Sequence, residues 1–471
     1  MVTASHLALA TALLGCDDYK RIHGVSVTLS HPPEVEVCAG SVSHLDDAYR
    51  EIARFMGLAS ERRKRVTYTL TKLPPCDEDA QGCAADDGRR VWGMGVAISH
   101  ELVHALQHQL TGTPVFPFLS EGLSVALGGP EAITLAGEYH HDIKAQLEGE
   151  RSSLHYDTAG DFTSYLLTAY GFDRFERLLR SAPRDMSASE AIETLEQTYG
   201  KKLDALVEDR WSSGLFFPQA RLGLPQCTTE PKPWRNQEWA THVALHCASP
   251  QAIGPVARLR KQEVVAYESF DIATEGTYLV ELEGRAVVAN LANPCSPTEV
   301  PAVSPHLVGI EGRRLAVLSL AAGRYFVELR AAYEPDAEPP AWPEATLTLS
   351  PYSDDGEATC PPPVDVDAST TGLNLLAHLG ERAALRFAPR LPTRATFVWT
   401  GLLAPELCTG PCAALECQPL ATLPFDPETL ETTVELTAEP YLLRYRQVSG
   451  SGHGWARVEL GGAPLTPDLS P

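Results

Sequence analysis

The sequence is short of positive charge. Among its 471 residues, 38 Lys and Arg stand against 61 Asp and Glu, a formal charge of −23. Surfaces that grip nucleic acid or anionic lipid need basic patches, so this balance argues against both as partners. Beyond the N-terminus, no run approaches the roughly 20 apolar residues that crossing a bilayer takes. There is no Gly-rich phosphate loop and no Gly-x-Ser-x-Gly elbow, so two common catalytic signatures are missing. Eleven cysteines are too few for a disulfide-held miniprotein, and the lack of any CxxC pair argues against a structural zinc knuckle. What is present is a chain with 44% hydrophobic residues, enough to build cores over about two to four domains.

The N-terminus bears on compartment. Residues 7–14 are apolar, and residues 1–15 hold no acidic side chain and no base except His6. The run is too short for a membrane span and fits the apolar region of a secretory signal. Leu13-Leu14-Gly15-Cys16 resembles a bacterial lipobox. That resemblance implies a lipoprotein-type signal peptide over residues 1–16, a lipid on Cys16 as the only membrane attachment, and a place in the cell envelope or outside the cell. The alternative is an N-terminal helix packed on the fold. Ten other cysteines remain: Cys38, Cys76, Cys83, Cys227, Cys247, Cys295, Cys360, Cys408, Cys412 and Cys417. Their even number allows complete pairing outside the cytoplasm. Cys76 and Cys83 bracket the polar loop 74–88, so a local bridge is expected there.

Two regimes of patterning follow. Between residues 19 and 211, short strands mix with long helices. Residues 25–29 and 66–70 are rich in β-branched side chains and are predicted as strands. Residues 44–58 place Leu45, Ala48, Ile52, Phe55 and Met56 at helical spacing. An edge strand is predicted over 91–97, with helices over 159–180, 188–199 and 203–211. From residue 224 onward, alternation replaces helical periodicity, as in 277–282, 315–320 and 325–329. A Pro- and Asp-rich segment, 353–363, leads to a second block with strands predicted over 384–387, 395–400, 432–436 and 441–445. Short strands at this rhythm predict β-sandwiches.

The chemistry concentrates in residues 99–129. His100-Glu101-Leu102-Val103-His104 is an HExxH motif. On a helix, residues i and i+4 share a face, so both histidines reach one ion while Glu101 stands beside its open coordination position. Val96, Ala97, Ile98, Leu102, Val103, Ala105 and Leu106 supply a buried helix around them. Short motifs also arise by chance, so a second element matters. Ser120-Glu121-Gly122-Leu123 opens another apolar helix, 119–127, and Glu121 offers the carboxylate that completes a His2Glu site.

Together, HExxH and the downstream glutamate resemble the gluzincin zinc peptidases of the peptidase MA-like superfamily, over about residues 19–211. The resemblance implies one Zn2+ per chain on His100, His104 and Glu121, with Glu101 as general base for peptide-bond hydrolysis. A peptide or protein is then the implied substrate. The segment from His155 to Phe162 resembles the family stretch that presents a tyrosine to the substrate carbonyl, which implies Tyr156 in that role, with His155 as the competing donor. Tyr156 stands one residue further from the glycine than in the aminopeptidase branch. Some members carry an Asp four residues after the glutamate ligand; Val125 occupies that place here, leaving Ser124 as a substitute. The run 321–329 makes the C-terminal blocks similar to the pre-peptidase C-terminal β-sandwich of secreted bacterial proteases.

The expected fold class is therefore α+β. A gluzincin-like domain covers 17–223 and two β-sandwich domains cover 224–352 and 353–471. The competing reading is a binding lipoprotein on an inactive gluzincin fold, with its sandwiches recognising a protein or glycan. His108 shares the helix face of His104, but at 1.5 Å per residue it lies about 12 Å along the axis from His100, too far for one ion. It is read as a surface or supporting histidine. The cluster Arg62-Arg63-Lys64-Arg65 is read as a solvated turn, and His140-His141 as surface.

Overall fold

A computed structural model describes residues 19–76, 82–96, 99–128, 142–149, 154–212, 230–258, 261–295, 306–333 and 343–352. Beyond these it describes residues 364–366, 370–378, 384–389, 393–401, 404–409, 416–419, 430–436, 440–446 and 453–460. Cys16, its leader and His140-His141 lie outside the described residues. Helices and several β-sheets are both present, as an α+β chain requires. No helix among the described residues is long and apolar enough to cross a membrane.

The N-terminal part begins with β1 (Lys20–His23) and β2 (Val27–His31), followed by α1 (Ser41–Phe55) and β3 (Val66–Leu70). After them come β4 (Gly82–Ala84) and β5 (Arg90–Gly93), giving a sheet of order β1-β2-β3-β5-β4. β2, β3 and β5 run parallel, and the two outer strands run antiparallel to their neighbours. A parallel pair needs a crossover, and α1 provides it between β2 and β3, burying Leu45, Ala48, Tyr49, Ile52 and Ala53. The Asp46 carboxylate on α1 accepts the backbone N–H groups of Val25, Ser26 and Val27 at 2.6, 2.7 and 2.7 Å, which fixes the β1–β2 turn. The edge strand expected over 91–97 is instead internal, because β5 lies between β3 and β4. The true edge, β4, reads Gly-Cys-Ala and has no alternation to reveal it.

The helical layer follows: α2 (Ser99–Thr111), α3 (Pro117–Leu127), α4 (Ile143–Glu148), α5 (Tyr156–Tyr170), α6 (Phe172–Ser181), α7 (Ala188–Tyr199) and α8 (Leu203–Ser212). The single helix predicted over 159–180 breaks at Gly171, whose φ of +79° lies where glycine is at ease and other residues are strained.

The strand-rich part opens with β6 (Trp239–Ala244), β7 (Ile253–Arg258), β8 (Lys261–Ile272) and β9 (Gly276–Pro294). β10 (His306–Leu320), β11 (Gly323–Ala332) and β12 (Glu344–Pro351) complete the first block. Its ladder runs β10-β9-β11-β8-β7, with β12 bridging β9 and β6. Pairing continues past residue 353, since Thr370–His378 lies parallel to β10 and antiparallel to His453–Leu460. A second, five-stranded sheet includes Ala384–Pro389 and Tyr441–Arg446, giving sandwich-like sheets.

The helical and strand-rich parts share a core. Ile253, Val256, Val265, Tyr267 and Phe326 belong to the same apolar cluster as Leu45, Leu102 and Phe162. The seam is also covalent, through Cys38–Cys247. Across it the N–H groups of Cys38, Gly40 and Val96 donate to the carbonyls of Gly254, Ala252 and Pro255 at 3.0, 2.9 and 2.7 Å. The last bond anchors the segment that leads into α2. The bridge expected between Cys76 and Cys83 is present. A third joins Cys408 to Cys417, and Cys295 is also disulfide-bonded.

Candidate metal centre

α2 is held between the sheet and α3 by Leu102, Val103, Ala105 and Leu106, all fully buried. That burial turns the other face, with His100 and His104, toward α3. α3 opens with Pro117, which is suited to the first turn of a helix. It packs closely on α5 because two glycines sit at the contact. A methyl group on Gly122 would stand 2.3 Å from Thr163 Oγ1, and one on Gly160 would stand 2.2 Å from Val125 Cγ1. With that face of α3 pressed on α5, Glu121 faces α2 and is 4% exposed.

Three donor atoms converge there. Glu121 Oε2 lies 3.1 Å from His100 Nε2 and 3.1 Å from His104 Nε2, and the two ring nitrogens are 3.2 Å apart. As hydrogen bonds, both rings would donate Nε2–H to the one oxygen Oε2, and the contact between the two ring nitrogens would go unused. A shared cation satisfies all three. Ligands bonded at 2.0–2.1 Å to a tetrahedral ion stand about 3.3 Å apart, close to the edges observed here. Two imidazoles and one carboxylate are also a donor set that zinc favours. The residues present therefore fit zinc.

Ser120 Oγ donates to Gln107 Oε1 at 3.0 Å and is 3.2 Å from His104 Nδ1. With the serine proton directed at Gln107, its oxygen can accept from Nδ1–H, the tautomer in which His104 turns its Nε2 lone pair to an ion. Burial alone would push the Glu121 carboxyl up, but the His104 and His100 rings beside it hold it well below the usual carboxylate range. It is therefore an anion at neutral pH.

The other expected residues fall at different distances from this triangle. Glu101 is 7% exposed, with its side chain against the edge strand β4 at Gly82. Tyr156 is the first residue of α5, 44% exposed, with its ring centroid 6.1 Å from that of His100. His155 is the N-cap of α5, and its backbone N–H donates to Gln146 Oε1 at 2.6 Å. Ser124 Oγ is buried with no partner among the described residues, so it does not support a ligand. The polar contact to His104 comes from Ser120, itself bonded to Gln107, and sequence reasoning missed both. The signal available was that Gln107 lies three residues after His104, on the same helix face.

His108 stands apart, half-buried rather than at the surface, with Nε2 3.7 Å from Asp86 Oδ1. Burial lowers its pKa against the opposing pull of Asp86. Arg62, Lys64 and Arg65 are exposed and Arg63 half-buried, in the turn before β3. A second possible cluster, Glu406 with Cys408 and Cys417, offers no thiolate because the two cysteines are bridged.

No family model matches the chain, and no curated protein matches it. Among solved structures, the triple jelly roll turret protein of an archaeal virus is 11% identical, with a TM-score of 0.15 over 43% of this chain and 59% of that one. The PBSX exported protein XepA is 9% identical, with a TM-score of 0.18 over 49% and 89%. The CUB1-EGF-CUB2 region of human MASP-1/3 is 8% identical, with a TM-score of 0.14 over 48% and 100%. Likeness this slight carries no argument about this chain, so its chemistry rests on the triangle of His100, His104 and Glu121.

Proposed function

We propose that this chain is an exported zinc-dependent peptidase of the gluzincin type. The observation that supports it most strongly is the convergence of His100 Nε2, His104 Nε2 and Glu121 Oε2 within 3.2 Å of one another, on two helices whose packing fixes them. Held by these three residues, one zinc would polarise a scissile carbonyl and acidify a water. Glu101, on the same helix turn as His100, takes the proton from the attacking water and returns it to the leaving amine. Tyr156, exposed beside His100, donates its hydroxyl hydrogen to the carbonyl oxygen as negative charge develops there. Ser120 and Gln107 keep His104 in the ligating tautomer.

In this reading residues 17–223 carry the peptidase chemistry, and residues 224–471 form sandwich-like sheets of the pre-peptidase C-terminal type, paired across residue 353 and sharing a core with the helical part. A lipid on Cys16 tethers the protein to the cell envelope, and its substrate is a peptide or protein. Stripping the purified protein with a strong chelator, then adding zinc, tests this directly. The expected result is one zinc per chain by elemental analysis, with cleavage of a mixed peptide library lost on stripping and regained on reloading. Cleavage undiminished after stripping, or a protein that retains no zinc, would overturn the proposal.

A further inference from the structure

Glu101 owes its place to an unusual neighbour. The backbone of Gly82, at the start of the edge strand β4, lies directly against its side chain. A methyl group on Gly82 would stand 2.8 Å from Glu101 Cγ, 3.1 Å from Glu101 Oε1 and 2.9 Å from the Trp92 carbonyl oxygen. The Trp92 carbonyl belongs to β5, where Cys83 pairs with Trp92 and Gly82 with Gly93, so the ladder keeps it fixed. A methyl group here would therefore press on the Glu101 side chain and on the β4–β5 pairing together, and glycine leaves the room that Glu101 occupies. A glycine at this position weakens the strand but allows close approach by another group, and here that group is the carboxylate side chain. The next residue, Cys83, is bridged to Cys76, so β4 is held where it backs Glu101 by a covalent tether as well as by its ladder.

We propose that Gly82, held by the Cys76–Cys83 bridge, is a positioning residue that seats the Glu101 carboxylate for proton transfer. This rests on the reading of Glu101 as the general base. A base displaced by about 1 Å costs on the order of 100-fold in rate.

The test compares Gly82→Ala, Cys76→Ala/Cys83→Ala and Glu101→Gln with the full-length parent protein. Each is measured for zinc content, kcat and KM on one quenched peptide. For Gly82→Ala the expected result is a kcat lower by roughly 10- to 100-fold, with KM and zinc stoichiometry unchanged. A purely structural role would lower zinc content or raise KM instead. If Glu101→Gln is inactive while Gly82→Ala keeps the parent kcat, the positioning inference falls and the base survives. If Glu101→Gln cleaves like the parent, the base reading falls and takes this inference with it. Should Gly82→Ala fail to fold, the double cysteine variant decides. A lower kcat with zinc and KM retained supports the inference, and the parent kcat overturns it.

Discussion

On the proposed function, His104 binds zinc through Nε2 only with its proton on Nδ1, and Ser120 with Gln107 stands beside that nitrogen. Ser120 Oγ donates to Gln107 Oε1 and lies 3.2 Å from His104 Nδ1, so an Nδ1–H bonded to it directs the Nε2 lone pair toward Glu121 and His100. Ser120→Ala is therefore expected to weaken zinc binding by about 10- to 100-fold, read by competition with a chromogenic chelator. Unchanged affinity would contradict this role. The meeting of His100 with His104 was legible in the sequence because a spacing of four acquires meaning on any helix. Glu121 needed one more step, the recognition that an apolar helix follows closely. Ser120 was hidden because its contact spans two helices, and nothing local separates it from Ser124, which has no partner among the described residues.

At the scale of elements, the site depends on α5 holding α3 in place, and α8 in turn clamps α5. Arg210 on α8 donates from Nε and Nη2 to Asp161 on α5 at 2.9 and 2.7 Å, with both side chains nearly inaccessible. Such a pair adds little over apolar replacements, but breaking one side strands a buried charge. Arg210→Met is expected to cost about 3–5 kcal/mol in chemical denaturation. Arg210→Met/Asp161→Leu is expected to recover most of it, and equal destabilisation of both variants would refute the account. The helix over 188–199 was legible because its apolar spacing begins after the Ser187 capping box and ends at Gly200. The break at Gly171 was not, since apolar periodicity runs through it. Alternation revealed several strands of the C-terminal blocks, but not their pairing, which depends on contacts far apart in sequence.

At the scale of the molecule, the strand-rich part completes the helical part's core. The residues that do so, Ile253, Val256, Val265, Tyr267 and Phe326, lie beyond any boundary visible in composition, and Cys38–Cys247 spans 209 positions. A chain ending at residue 223 is therefore expected to lack cooperative unfolding; a fragment that melts cooperatively would show the core to be separable. The seam also carries a pH dependence. His44 on α1 stacks on Tyr267 at 5.5 Å, and burial lowers its pKa from 6.5 to about 4. Below pH 6.5 the unfolded chain binds a proton that the folded chain refuses until about pH 4. Stability is thus full above 6.5 and falls through that window by about 3 kcal/mol. Urea titrations at pH 7.5 and 4.5 should show this loss, and His44→Phe should reduce it; an equal loss in the variant would exclude His44.

The central claim is that Glu101 drives hydrolysis at a zinc held by His100, His104 and Glu121. Its most direct test is the rate of peptide cleavage by Glu101→Gln, with zinc measured on the same sample. The account predicts one zinc per chain and almost no cleavage. Cleavage at the parent rate with the zinc in place would contradict it.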